Sequence, residues 1–192
     1  MGKSTVLHIF AKLGAITWDS DEIVRTLLEE EDVLKRIRRL LGSGVFYKSG
    51  RLNKKKVARA IFENDALRRS LEDIIHPLVF QEVHTLAEGL KGTDKIVVVE
   101  VPLLFERGYE KRFDRTITVC TDEKVALYRL GKRGIRNQEA MVRLKSQLPI
   151  KEKMQRADFV IDNNGTFQET TDQVRSIYEK LSEAGNGYNK RA

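Results

Sequence analysis

Apolar positions recur at helical spacing along most of the chain, and short apolar runs separate the helical stretches. Val6, Ile9, Phe10 and Leu13 share one face of a first predicted helix, which stops at Gly14, a glycine placed just past a helix end. Residues 15–18 form a short apolar run that closes on Asp19-Ser20-Asp21. Ile23, Leu27, Leu34, Ile37 and Leu41 then predict a second helix that ends before Gly42, and residues 42–50 read as a turn region. Asn53 is placed as the N-cap of a helix carrying Val57 and Ile61. Leu67, Leu71, Ile74 and Leu78 form a further apolar face, which Val79, Val83, Leu86 and Leu90 continue after Pro77.

The second half changes pattern. Residues 96–101 are mostly β-branched and predict a strand buried on both faces of a parallel sheet. Residues 116–120 and 159–161 predict two more strands, with basic helical sequence from Glu123 to about Gln155 between them. Thr166-Phe167-Gln168-Glu169 is a capping-box pattern opening a last helix through Val174, Ile177, Tyr178 and Leu181. The polar tail from Gly185 is expected to fray. Strands alternating with helices imply an α/β layer fold. With 192 residues, three prolines, no linker-like stretch and no repeat, one domain is expected.

Composition narrows the class. Hydrophobic residues make up 41% and charged residues 33%, which excludes wholesale disorder. No apolar run reaches the roughly 18 residues of a membrane span. The single cysteine, Cys120, excludes an internal disulfide framework and a Cys-rich zinc site, and reads as a small buried hydrophobe. No basic-then-apolar leader opens the sequence, so a cytoplasmic location is expected, with no membrane association. Lysine and arginine number 35 against 28 acids, a net charge of +7. A nucleic-acid module could explain that excess and the basic run over residues 124–143. The aromatic residues do not interleave with the basic ones as a stacking platform requires, so no specific nucleic-acid partner is expected. His8 and His84 show no partner spacing, and Asn164-Gly165-Thr166 matches a glycosylation sequon without a secretory context.

Gly2-Lys3-Ser4-Thr5, followed at once by an amphipathic helix, reads as the second half of a phosphate-binding loop of the form G-x-x-x-x-G-K-[ST]. A helix start offers unpaired N–H groups and a positive dipole end to a phosphate. Lys3 would reach the β and γ phosphates and the Ser4 hydroxyl would ligate Mg²⁺. The other reading is four common residues at a helix start. The chain opens inside the motif, so the first glycine and a central strand are expected upstream of Met1. A sheet read without that strand leaves the apolar edges of its two neighbours unpaired.

An ordered set of further motifs follows. Asp19-Ser20-Asp21 comes first, then Gly50-x-Leu52-Asn53, Ile61-Phe62 and Leu71-Glu72-x-x-x-His76-Pro77-Leu78-Val79. Residues 99–106 read Val-Glu-Val-Pro-Leu-Leu-Phe-Glu. Arg129-x-x-x-Arg133 leads to Arg143, Gln147, Lys153 and Ala157-Asp158, and Val160-Ile161-Asp162-Asn163-x-Gly165 closes the set. Taken together, the chain resembles the dephospho-coenzyme A kinases over nearly its whole length. It departs from their pattern at Ser20, usually alanine, and at Lys54, often arginine.

The resemblance implies a three-layer α/β P-loop kinase fold with a mostly parallel sheet. It implies a helical acceptor-binding insertion over about residues 25–92 and a lid over about 122–157. The activity implied is Mg²⁺- and ATP-dependent phosphorylation of the ribose 3′-hydroxyl of dephospho-coenzyme A. Asp21 would take or orient the hydroxyl proton, or cap the following helix; Asp19 would hold metal-bound water. Glu100 would contact Mg²⁺ or serve as a structural partner for a cation. Arg129 and Arg133 would bind ATP phosphates with the loop residues Gly2, Lys3, Ser4 and Thr5, or belong to a solvated face. Asn163 would lie on the adenine side or simply form a turn, and His76 would touch the acceptor or pack as a core histidine. Two other readings stay open: a remnant of such a kinase that keeps the fold without turnover, and another small P-loop kinase acting on a nucleoside or metabolite.

Overall fold

The computed structural model describes residues 2–62, 64–132, 134 and 147–188. Arg133, expected at the nucleotide, and Arg143 of the motif set lie outside the described residues. The chain divides into two compact units, residues 1–17 with 94–192, and residues 18–93.

The first unit holds the strands. Helix α1 (Lys3–Lys12) buries Val6, Ile9 and Phe10, the predicted face, and the left-handed Gly14 follows its end. Strand β1 (Ile16–Asp19), within which the border between the units falls, pairs with β2 (Val97–Glu100), the Ile16 N–H donating to the Ile96 carbonyl at 2.9 Å. Strand β3 (Ile117–Cys120) runs parallel to β4 (Phe159–Asp162), with Ile117 opposite Phe159 and Cys120 opposite Asp162. Helix α6 (Glu123–Lys132) follows β3, α7 (Ile150–Arg156) precedes β4, and α8 (Phe167–Tyr188) closes the unit. Val6, Ile9, Phe10, Ala15, Ile161, Val174 and Ile177 form its core, with Ile96, Val98, Ile117 and Val119 packed against them.

Three expectations change here. The strands form two pairs instead of one sheet: among the described residues β2 hydrogen-bonds only to β1, and β3 only to β4. Strand β2 is also half-buried along its length instead of buried on both faces, having one hydrogen-bonded neighbour. The last helix continues to Tyr188, past the point where fraying was expected. Its capping box forms as predicted, with Thr166 N–H donating to Glu169 Oε2 at 2.6 Å and Glu169 N–H to Thr166 Oγ1 at 3.2 Å. Those two Thr166 donors, backbone first and hydroxyl second, hold the Glu169 carboxyl below its ordinary pKa.

The second unit is helical. Residues 23–41, expected as one helix, form α2 (Ser20–Leu27) and α3 (Glu31–Leu41). The acidic run Glu29-Glu30-Glu31-Asp32 explains the break. Carboxylates oppose the negative end of α2 and suit the positive start of α3. Helix α4 (Lys54–Phe62) is capped by Asn53, whose Oδ1 accepts the Lys56 N–H at 3.1 Å, as predicted. Helix α5 (Asp65–Glu88) runs straight through Pro77. The proline deletes one internal hydrogen bond, and burial of Ile75 and Val79 around it offsets that loss. Leu27, Val33, Ile37, Val45, Phe46, Val57, Ile75 and Val79 make a core of this unit's own.

Candidate functional site

The start of α1 is built for an anion. Gly2 precedes the helix at φ 87°, the left-handed region that glycine enters without penalty. A Cβ at this position would overlap Asn163 Nδ2, so the position needs glycine for space as well as for conformation. Among the described residues no side chain caps α1 and no acidic residue occupies its first turn, while Ser4 and Thr5 are exposed there. The first N–H groups of the helix thus keep their hydrogen-bonding capacity and positive potential.

Asn163 is held from two sides. It is buried just past β4, its N–H donates to the Cys120 carbonyl at 2.9 Å, and its Oδ1 accepts from Thr170 Oγ1 at 3.0 Å. The parallel β3–β4 pair therefore carries one residue of the predicted site directly against another, Gly2. Cys120 is buried, as expected, and burial first and Asp162 second push its thiol pKa up.

Lys3 and Glu100 also meet. Lys3 Nζ stands 3.5 Å from Glu100 Oε1, with the lysine side chain 42% exposed and the glutamate side chain 14% exposed. Glu100 ends β2, and its other oxygen, Oε2, is buried without a hydrogen-bond partner among the described residues. A cation on a mobile stem thus faces a fixed carboxylate that still has an oxygen to offer.

The remaining predicted residues lie on other elements. Asp19 is the N-cap of α2, its Oδ1 accepting the Asp21 N–H at 2.8 Å. The capping role weighed for Asp21 thus falls to Asp19, and Asp21 is exposed in the first turn of α2. Ser20, between them, is buried with its hydroxyl unpartnered. His76 is half-buried in α5; burial lowers its pKa and the charge on Asp73 partly restores it. Arg129 is half-buried in α6.

Polar ties that sequence reasoning left without a role surround α6 and α7. Asn164 Oδ1 accepts from Thr121 Oγ1 at 3.0 Å and from the Asp122 N–H at 2.7 Å, just ahead of α6. Glu106 Oε1 lies 2.6 Å from Lys153 Nζ. Glu106 and Lys153 both fall in the motif set quoted above, which was the one signal available.

The dephospho-CoA kinase family model matches residues 1–169. A dephospho-CoA kinase of Aquifex aeolicus is 34% identical over 182 residues, 94% of this chain and 92% of that protein. One of Geobacillus kaustophilus is 37% identical over 182 residues, 93% of this chain and 90% of that protein. Among solved structures, a Thermus thermophilus protein superposes with TM-score 0.77 at 28% identity, over 94% of this chain and 92% of that one. The dephospho-CoA kinase of Campylobacter jejuni gives TM-score 0.70 at 25% identity, over 95% of this chain and 92% of that one. With a family model spanning most of its length and relatives above 30% identity along nearly all of it, the chain belongs to the dephospho-CoA kinase family.

Proposed function

We propose that this protein transfers the γ-phosphoryl group of ATP to the ribose 3′-hydroxyl of dephospho-CoA, yielding coenzyme A and ADP. The observation that carries the reading is Lys3 in the first turn of an uncapped helix, beside the carboxylate of Glu100. An uncapped helix start with a cation beside it suits an anion such as a phosphate chain.

In this mechanism the first N–H groups of α1 receive the ATP phosphates, with Ser4 and Thr5 beside them. Lys3 exchanges Glu100 for the β and γ oxygens and follows the charge as it moves to the leaving oxygen. Asn163, packed on Gly2, is assigned to the adenine side. Arg129 and Arg133 are assigned to the phosphates, where a guanidinium fork binds two oxygens at once. Asp21 takes the hydroxyl proton as the acceptor oxygen bonds to the γ phosphorus and the bond to the bridging oxygen of ADP breaks. Its carboxylate is suited to this because Asp19 does the capping. His76, kept neutral at pH 7 by burial, is assigned to the acceptor and residues 25–92 to its binding. Residues 122–157 are assigned to the lid.

The buried, unpartnered Oε2 of Glu100 fits a divalent cation, which Ser4 and water on Asp19 would help to hold. Mg²⁺ in that place neutralises charge on the phosphate oxygens. Among the described residues no helix is long and apolar enough to cross a membrane, in keeping with the proposed cytoplasmic location.

Replacing Lys3 by alanine tests the reading. Turnover of ATP with dephospho-CoA should fall by about 100-fold or more, with far-ultraviolet circular dichroism unchanged. Wild-type kcat in that variant would remove Lys3 from the mechanism. Equal turnover of a panel of nucleosides would replace dephospho-CoA as the acceptor.

A further inference from the structure

Glu106, Gln147 and Lys153 converge within the strand-bearing unit, at a point none of the assigned roles uses. Lys153 Nζ lies 2.6 Å from Glu106 Oε1 and donates to Gln147 Oε1 at 3.2 Å. The Leu148 N–H donates to the same Glu106 Oε1 at 3.0 Å. Both charged side chains are largely enclosed, 16% exposed for Lys153 and 13% for Glu106. Two charges taken so far out of water form no inexpensive ornament, because desolvation opposes their attraction. What such a pair supplies is geometry: two donors, the Lys153 ammonium and the Leu148 N–H, fix one carboxylate oxygen, and Gln147 Oε1 holds the ammonium in turn.

The elements joined are informative. Glu106 stands six residues beyond Glu100, in the loop leaving β2. That loop contains Leu103 at φ 55°, the one non-glycine residue at positive φ among the described residues, a conformation unfavourable for leucine. The turn is closed by Arg107 N–H to the Leu103 carbonyl at 3.1 Å and Tyr109 N–H to the Leu104 carbonyl at 2.9 Å. On the other side, Leu148 and Lys153 belong to the arm that becomes α7. The loop holds α7 a second time through Glu110, which pairs with Arg156, while the Arg156 guanidinium lies over the Phe105 ring at 5.3 Å. That pairing, the largest influence on it, holds the Glu110 carboxyl below its ordinary pKa. Thr118 of β3 donates to the Lys153 carbonyl at 3.2 Å, so the arm is also tied to the sheet.

We infer that Glu106 is a positioning residue for the phosphoryl transfer: with Lys153 and Gln147 it sets the arm over residues 147–156 relative to the strand end that carries Glu100. The role assigned to it is exerted through the arm. This rests on the reading of residues 122–157 as the segment that meets ATP.

The test compares Glu106→Gln, Lys153→Met and the double variant by steady-state kinetics, thermal unfolding and hydrogen exchange of residues 147–156. Glutamine keeps an acceptor for the Leu148 N–H and removes only the charge. If Glu106 positions the arm, each single change raises KM for ATP or lowers kcat/KM by about 10- to 100-fold in folded enzyme, and the double change costs no more than either. Amides of residues 147–156 then exchange faster while those of β3 and β4 keep their rates. A lowered Tm with wild-type kcat and KM would mean the tie is structural only and would overturn the inference. If the wild type does not phosphorylate dephospho-CoA, the functional reading fails separately, and exchange still decides whether Glu106 orders the arm. Should Glu106→Gln not fold, Lys153→Gln, which leaves both elements able to hydrogen-bond, gives the same comparison.

Discussion

The two units reach stability by different routes. Residues 18–93 are one contiguous stretch whose core is aliphatic and aromatic, and whose ion pairs join residues three or four apart on helix surfaces. The strand-bearing unit brings residues 2–17 together with residues 94–188, and within the latter stretch polar side chains cross gaps of some forty residues. Asp158 Oδ2 accepts from the Thr116 N–H at 2.7 Å and the Thr116 hydroxyl at 2.8 Å, Asn164 holds Asp122, and Glu106 holds Lys153. Parallel strands come from distant segments and have no tight turn to set their register, so side chains at the strand ends help to set it. An α-helix settles its own hydrogen-bond register by local periodicity.

The sharpest way to break this contrast is in the two cores. Ile37 and Ile161 are both fully buried, in different units. Either change to alanine should cost about 2–5 kcal/mol by denaturant unfolding. Hydrogen exchange should place the faster amides of Ile37→Ala within residues 18–93, and those of Ile161→Ala in β3, β4 and α1. Global acceleration in both variants would mean that the units unfold as one.

A smaller effect should follow from cutting a long-range tie. Asp158→Ala leaves the buried Thr116 donors without their partner and should cost about 1–3 kcal/mol at pH 7. The size of this loss depends on pH. Burial pushes the Asp158 pKa up, but the Thr116 hydroxyl and N–H outweigh it and hold the carboxyl below its ordinary value. The native contribution is therefore complete above about pH 4 and disappears as pH falls through the lower folded value. Unfolding of variant and wild type should converge in acid, and a gap that widens there would reject the assignment.

The smallest effect belongs to the helical unit. Lys35 pairs with Glu31 at 3.0 Å and Asp32 at 3.3 Å, on an exposed face. Lys35→Ala should leave the denaturation midpoint unchanged within error, because side-chain ordering and salt screening offset an exposed ion pair. A marked drop would show that the helical unit also leans on its charges.

Much of this molecule was legible in advance where the interactions are local. The α1 face, the Asn53 cap and the Thr166–Glu169 box each rest on residues a few positions apart, so periodicity and capping chemistry suffice to find them. The split between α2 and α3 was legible too, in four consecutive acids, but the hydrophobic spacing across them masked it. Of the site, Gly2, Lys3, Ser4 and Thr5 could be read because one short motif carries them, and Asp19, Asp21 and Glu100 because a family pattern does.

Local sequence sufficed for most of the helix and strand segments, for the candidate phosphate-binding motif at the α1 start and for the family to which the chain belongs. Only the tertiary structure decided that Gly2 lies against Asn163, that Lys3 faces Glu100, that Asp19 and not Asp21 caps α2, and that Glu106 meets Lys153. Apart from the cap, these contacts join residues tens to more than a hundred positions apart. Their partners are chosen by how the strands and helices pack, and no local periodicity records that choice.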